Sequence, residues 1–252
     1  MIASRREVLS GLIGGGAVLG FGALAAEGEP VWQYRRLDPA EVAASAYRLH
    51  LEGGCMYAVA GSVIGALAKA HGEPYASFPV AMLRFGEGGV GGWGSTCGVV
   101  NGASALAGLF YGGKDQPERA ALIGAFGEWY QGTALPQYRP AADAAVLASE
   151  AVGSILCHVS VGRWSAKAEV GAYSPERRER CRRLSADGAA HITELLNASL
   201  AGAPSSDVSA EAKACLSCHG KAGRGDVMAK MACTPCHSLP AKHPATVADA
   251  PK

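Results

Sequence analysis

The chain has 252 residues, 49% of them apolar and 18% charged, with a formal net charge of +1; this is the balance of a globular protein with room for one sizeable core and a smaller appendage. The charge falls to zero once residues 1 to 25, which hold Arg5, Arg6 and Glu7, are removed, and a neutral protein offers no bulk field for nucleic acid or an anionic membrane surface. Composition therefore argues against disorder throughout and against partners of either kind.

The first 26 residues, "MIASRREVLSGLIGGGAVLGFGALAA", pass from a basic start through an apolar, glycine-rich middle to a small-residue site at Ala23-Leu24-Ala25, the layout of an export signal. "SRREVL" resembles the twin-arginine export motif through Arg5 and Arg6, with Val8 where a larger apolar residue is usual; a general secretory signal is the alternative. Both place the protein outside the cytoplasm. Beyond the signal no apolar run approaches the ~20 residues of a membrane span, so the mature protein is expected to be soluble.

Residues 27–200 read as an all-α body, with no alternating run that argues for a strand. Asp38, Pro39 and Glu41 form a capping sequence for a helix to about Glu52; Gly53 and Gly54 break it, and a buried helix continues from Cys55 to Gly72. The loop "FGEGGVGGWGS" leads to a third helix capped by Ser95 or Thr96. Its "GEGGVG" matches a dinucleotide-binding spacing only formally, since no strand precedes it; the glycines suit close backbone approach instead. Asp115 and Glu118 repeat the capping pattern. "AADAAVLASEAVGSILCH" and "SPERRERCRRLSADGAAHITELLNASL" predict two more helices, the second capped by Ser174 with Pro175 behind it.

Residues 201–212 are small and polar, carry Pro204, and read as a linker. The segment 213–252 has few large aliphatic residues and cannot offset its chain entropy without a staple, a metal or a large cofactor; it is expected to be small and irregular. It holds "CLSCH" and "CTPCH". Each is a C-x-x-C-H, whose thiols, Cys215 with Cys218 and Cys233 with Cys236, can form thioethers to one porphyrin while His219 or His237 ligates the iron. Thirteen residues separate His219 from Cys233, so two c-type haems would lie close together. The competing reading is a four-thiolate zinc site that staples a binding module; it leaves the histidine after each pair unexplained, as do disulfides within the pairs. Candidate distal ligands are His158, His50 and His191, ahead of His71 and His243, with Met228 and Met231 between the motifs.

The other cysteines, Cys55, Cys97, Cys157 and Cys181, show no local metal spacing. Cys55 and Cys97 each stand at a helix start, where free amides and the helix dipole favour a thiolate. An iron–sulfur or other iron centre, buried free thiols and two disulfides all stay open on the residues alone.

"GGCMYAV", "GGWGSTCGVVNGASALAGLFYG", "GSILCH" and "ERCRRL" resemble the bacterial redox family named for its pattern C, GCAxxG, C, C, over residues 38 to about 200. The second element departs from that name, reading "CGVVNG" from Cys97 to Gly102, with valine where alanine is expected. With the export signal in front and two C-x-x-C-H motifs behind, the chain is similar to the split-Soret cytochromes c. That resemblance implies a periplasmic, dimeric, dihaem electron carrier serving redox partner proteins, with stacked haems and bis-histidine ligation in which one ligand can cross the dimer interface. It also implies an iron centre held by Cys55, Cys97, Cys157 and Cys181. The alternative within redox chemistry is an oxidoreductase whose iron centre reduces a small substrate; Glu87 and His158 offer it little acid–base machinery, and no catalytic residue is assigned.

Overall fold

Asp38 and Pro39 start the first helix as their chemistry requires. Pro39, which has no amide hydrogen to leave unpaired, takes the first helical position, and Asp38 Oδ1 accepts the Ala40 amide at 2.8 Å. The structure is a computed structural model and describes residues 32–114, 116–202, 208–221, 227–239 and 243; the expected export signal, part of the expected linker and Asp115 lie outside these. Helix α1, Pro39–His71, bends where the sequence predicts, at Gly53 and Gly54. Its second half is buried on nearly every side through Met56, Val59, Val63, Ile64 and Leu67.

Two 3-10 turns, Tyr75–Ser77 and Val80–Gly86, lead into the glycine loop. Helices α2 (Gly98–Phe110), α3 (Pro117–Gly132), α4 (Cys157–Lys167), α5 (Pro175–Ser199) and α6 (Ala210–His219) follow. Among the described residues there is no strand, only two isolated antiparallel bridges, Thr96 with Leu156 and Leu135 with Glu150; the fold is all-α. The long helices α1 and α5 make the most extensive pairing, and α2 packs against α1, α3 and α5. The approach of α2 to the start of the second half of α1 depends on Gly98, where a Cβ would stand 2.7 Å from Gly86 O and 2.9 Å from Cys55 Cβ.

Several elements differ from expectation. Neither Ser95 nor Thr96 caps α2: Cys97 itself is the N-cap, while Ser95 Oγ donates to Gly89 O and Thr96 O accepts from Asn101 Nδ2. Helix α3 starts from Gln116, which makes no side-chain cap. The helix expected over 141–158 is absent. That segment has alanines but hardly a large apolar residue to bury in its first half, and its second half is drawn into extended contacts: Glu150 pairs with Leu135, the Gly153 amide donates to Gln131 O, and Ile155 O accepts the Cys97 amide. Tertiary pairing overrides helix propensity there, and α4 begins only at Cys157. The tail, expected to be irregular, carries α6, capped by Ser209 and starting at Ala210 within the stretch read as linker. Helix α1 is long and apolar enough, by length and composition, to cross a membrane, contrary to the expectation that no segment would be; 61% of its most apolar window is buried inside the body, as in the core helix of a folded domain.

Candidate functional site

Four cysteines far apart in sequence come together where α1, α2, α4 and α5 meet. Cys55 follows the Gly53–Gly54 bend and so opens the second half of α1, Cys97 caps α2, Cys157 opens α4, and Cys181 lies in the second turn of α5. Cys55, Cys97 and Cys181 are buried and Cys157 is partly so, and none of them is joined in a disulfide. They stand as two pairs. Cys55 shares a hydrogen bond with Cys181, and Cys97 with Cys157. Among the described residues no three metal-binding side chains already close on one point.

The glycine loop covers the pairs. Gly88, Gly89, Val90, Gly91 and Gly92 all have positive φ, as does Gly94, and the turn they form brings backbone where side chains would not fit: a Cβ on Gly89 would lie 2.8 Å from Cys157 Cβ. Ser95 O and Gly94 O then accept the amides of Cys157 and His158.

In each pair one thiol is favoured as thiolate. The Cys55 hydrogen bond and then the Arg180 charge pull Cys181 well below the usual thiol range, against burial. The hydrogen bond from Cys157, supported by that from Tyr130, brings Cys97 down to about 7. Their partners move up, Cys55 through its bond to Cys181 and Cys157 through its bond to Cys97, with burial adding to both. Two facing thiolate–thiol pairs, buried beside a cation, are a donor set that suits iron.

His50 Nε2 lies 3.5 Å from Cys55 Sγ, and burial lowers its affinity for a proton. That places His50 at the thiol cluster. His191 is stacked on Trp129 with ring centroids 4.2 Å apart and meets Glu194 at 3.2 Å. His158 is exposed, directly after Cys157, and of the three expected distal candidates it presents the most accessible ring.

The C-x-x-C-H motifs lie on different local structures. Cys215, Cys218 and His219 fall on α6, in its last two turns, and the His219 ring is 6.1 Å from that of His243. Cys233 to His237 form a turn, with the amides of Cys236 and His237 both donating to Cys233 O. Glu211 Oε1 accepts from the amide and hydroxyl of Thr234 at 2.9 and 2.6 Å, tying the two motifs together, and the Cys233 thiol meets that of Cys215. The second motif docks on the body: the Ala232 amide donates to Gln131 Oε1, Ser154 Oγ to Met231 Sδ, and Pro235 packs over Gly153. Beside it a cleft of about 570 Å³ is lined by Ile123, Gly127, Gln131, Ile155 and Met231.

Arg180, Ser160 and Tyr130, all buried at the thiol pairs, were not legible in the sequence. Arg180 is one of five arginines from Arg177 to Arg183 in a charged run and looks no different in sequence from the others.

The family described as "Putative redox-active protein (C_GCAxxG_C_C)" matches residues 57–195, a span that contains Cys97, Cys157 and Cys181 and begins two residues after Cys55. The split-Soret cytochrome c of Desulfovibrio desulfuricans is 35% identical over 94% of this chain and 95% of its own length. A solved structure described as "A novel iron centre in the split-Soret cytochrome c from Desulfovibrio desulfuricans ATCC 27774" superposes with a TM-score of 0.77 at 34% identity, covering 84% of this chain and 95% of that one.

Proposed function

Because the chain belongs to the split-Soret cytochrome c family, we propose that it is an exported dihaem electron carrier with a third, cysteine-bound iron centre of iron–sulfur type. Cys215 and Cys218 hold one haem c with His219 on its iron; Cys233 and Cys236 hold the other with His237. Cys55, Cys97, Cys157 and Cys181 hold the iron centre. The haems and the iron centre supply reversible one-electron chemistry, and the polypeptide positions them, shields them from water and sets their surroundings.

One observation carries this reading: the second haem motif docks on the same short segment, Val152 to Cys157, that delivers Cys157 to the thiol cluster and pairs with Cys97. Ser154 touches Met231, and three residues later the chain is at Cys157. A haem on Cys233 and Cys236 would therefore stand beside the thiol pairs, with the cleft along α3, in the size range of cofactor sites, giving its porphyrin an apolar wall. The exposed ring of His158 is the distal ligand this arrangement favours, to a haem of the same chain or of a partner in a homodimer. The twin-arginine pattern supports a periplasmic location, and redox partner proteins would meet the haem end.

Purified mature protein tests this by mass, pyridine haemochrome and iron count. Two covalent haems per chain with iron in excess of two are expected; a colourless protein carrying one zinc would sink the proposal. The pairing of thiols also suits a second reading, with disulfides Cys55–Cys181 and Cys97–Cys157 in place of the centre. That form would carry no iron beyond the haems and lose two hydrogens per bridge.

A further inference from the structure

Arg180 is 1% exposed and sits on α5 directly before Cys181. Its Nη2 donates to Ser160 Oγ at 2.8 Å, its Nη1 points at Cys181 Sγ at 4.0 Å, and the guanidinium lies over the Trp164 ring at 5.9 Å. Its Nε has no partner. The ion pairs among the described residues all belong to other cations, and Asp187, whose field reaches Arg180, gives both oxygens to the amides of Gln137 and Tyr138. A guanidinium held dry without a carboxylate is stable only where something else supplies negative charge, and the groups that face it are thiols. The arrangement extends to the second pair. Ser160 Oγ also accepts the Tyr130 hydroxyl at 2.8 Å, and Tyr130 in turn reaches Cys97. Arg180, Ser160 and Tyr130 thus bridge Cys181 to Cys97 through a continuous buried chain whose cationic end faces the thiol pairs with one N–H, on Nε, still unpartnered.

We propose that Arg180 is the built-in counter-charge of the cysteine centre, a positioning residue that holds the centre's reduction potential up by favouring the state with one more electron. This rests on the iron-centre reading above. The charge is permanent and shielded from solvent, so it acts at short range and little affected by salt, and reduction needs no accompanying proton at this residue. Each one-electron reduction adds negative charge within reach of the guanidinium, and no bond to Arg180 is made or broken.

The test uses the full-length, haem-loaded protein titrated with dithionite and a mediator set, the cysteine centre followed by electron paramagnetic resonance and the haems by absorbance in the same samples. Arg180→Gln should lower the midpoint of the cysteine centre alone: at a fixed ambient potential the reduced-to-oxidised ratio should fall ten- to a hundredfold, ~60 to 120 mV for a one-electron step. Arg180→Lys, which keeps the charge, and Ser160→Ala, which keeps the guanidinium, should stay close to wild type. An unmoved midpoint in Arg180→Gln with iron at the wild-type count overturns the proposal, as does Arg180→Lys falling as far as Arg180→Gln. Should Arg180→Gln fail to fold, Arg180→Lys decides, since a midpoint well below wild type there shows that charge is not what matters and a wild-type midpoint supports the proposal. Wild-type protein with no iron beyond its haems removes the iron-centre reading and this proposal together; iron present with an unmoved midpoint removes this proposal alone.

Discussion

Asp187 illustrates how a single buried side chain writes a pH dependence into the fold. Its carboxylate accepts the amides of Gln137 and Tyr138, both at 2.8 Å, which favours the ionised form, yet burial outweighs them and raises it from 3.8 to about 6. The folded chain therefore binds this proton more tightly than the unfolded chain. The stabilisation is complete below pH 3.8 and is lost as pH rises through about 6, a difference on the order of 3 kcal/mol. Urea midpoints between pH 4 and pH 8 should show wild type losing stability relative to Asp187→Asn up to about pH 6 and running level with it above. Parallel curves would exclude this origin. Asp187 anchors the proline-bearing loop just ahead of the stretch expected to be helical: a carboxylate 49 positions away from Tyr138 satisfies backbone donors that the loop leaves without partners of its own.

At the scale of elements, the bend in α1 does the most to build the site. Gly54 has φ +74 and ψ −169, a region open in practice only to glycine, and a Cβ there would stand 3.0 Å from the Cβ and Cγ of Glu87. Gly54→Ala should cost about 1 to 3 kcal/mol and lower Tm by roughly 2 to 12 °C, with a fall in iron per chain as Cys55 swings away from Cys181; a melt and metal content equal to wild type would show that the bend is dispensable. This bend, the caps Asp38 and Ser174 and the ends of α1 and α5 were legible because each is decided within a few residues of chain. The start of α4 was not. Cys157 follows an apparently helical stretch, and what ends that stretch is pairing with Leu135, Gln131 and Cys97, partners whose proximity no local pattern announces.

Across the whole molecule the same distinction recurs. The C-x-x-C-H motifs are local and were readable; the meeting of Cys55 with Cys181, 126 positions apart in the chain, and the seating of the tail on α3 and Ser154 depend on the assembled fold. Gln131 is the residue through which body and tail communicate: its Nε2 donates to Glu128, its backbone carbonyl accepts from Gly153 and its Oε1 from Ala232. Gln131→Leu keeps the bulk and the backbone bond but removes the acceptor for Ala232. A hydrogen bond of this kind contributes about 1 kcal/mol, so amide exchange at Ala232 should quicken by roughly fivefold while the core of α1 and α5 keeps its protection. Unchanged exchange at Ala232 would mean that the tail is held by Met231 and Pro235 alone.

The glycine loop has a consequence in the language of mutational tolerance. Every missense change at a glycine introduces a Cβ, so each one at Gly88, Gly89, Gly91, Gly92 and Gly94 meets the left-handed backbone found there. A saturation library should be more depleted across these positions, all but Gly89 exposed or partly so, than across many buried ones. Val90, a β-branched residue with φ +63 in the middle of the run, is the exception that should gain: Val90→Gly is expected to raise stability by about 1 kcal/mol, making this one of the rare loop sites where losing a side chain is selectively favourable for folding.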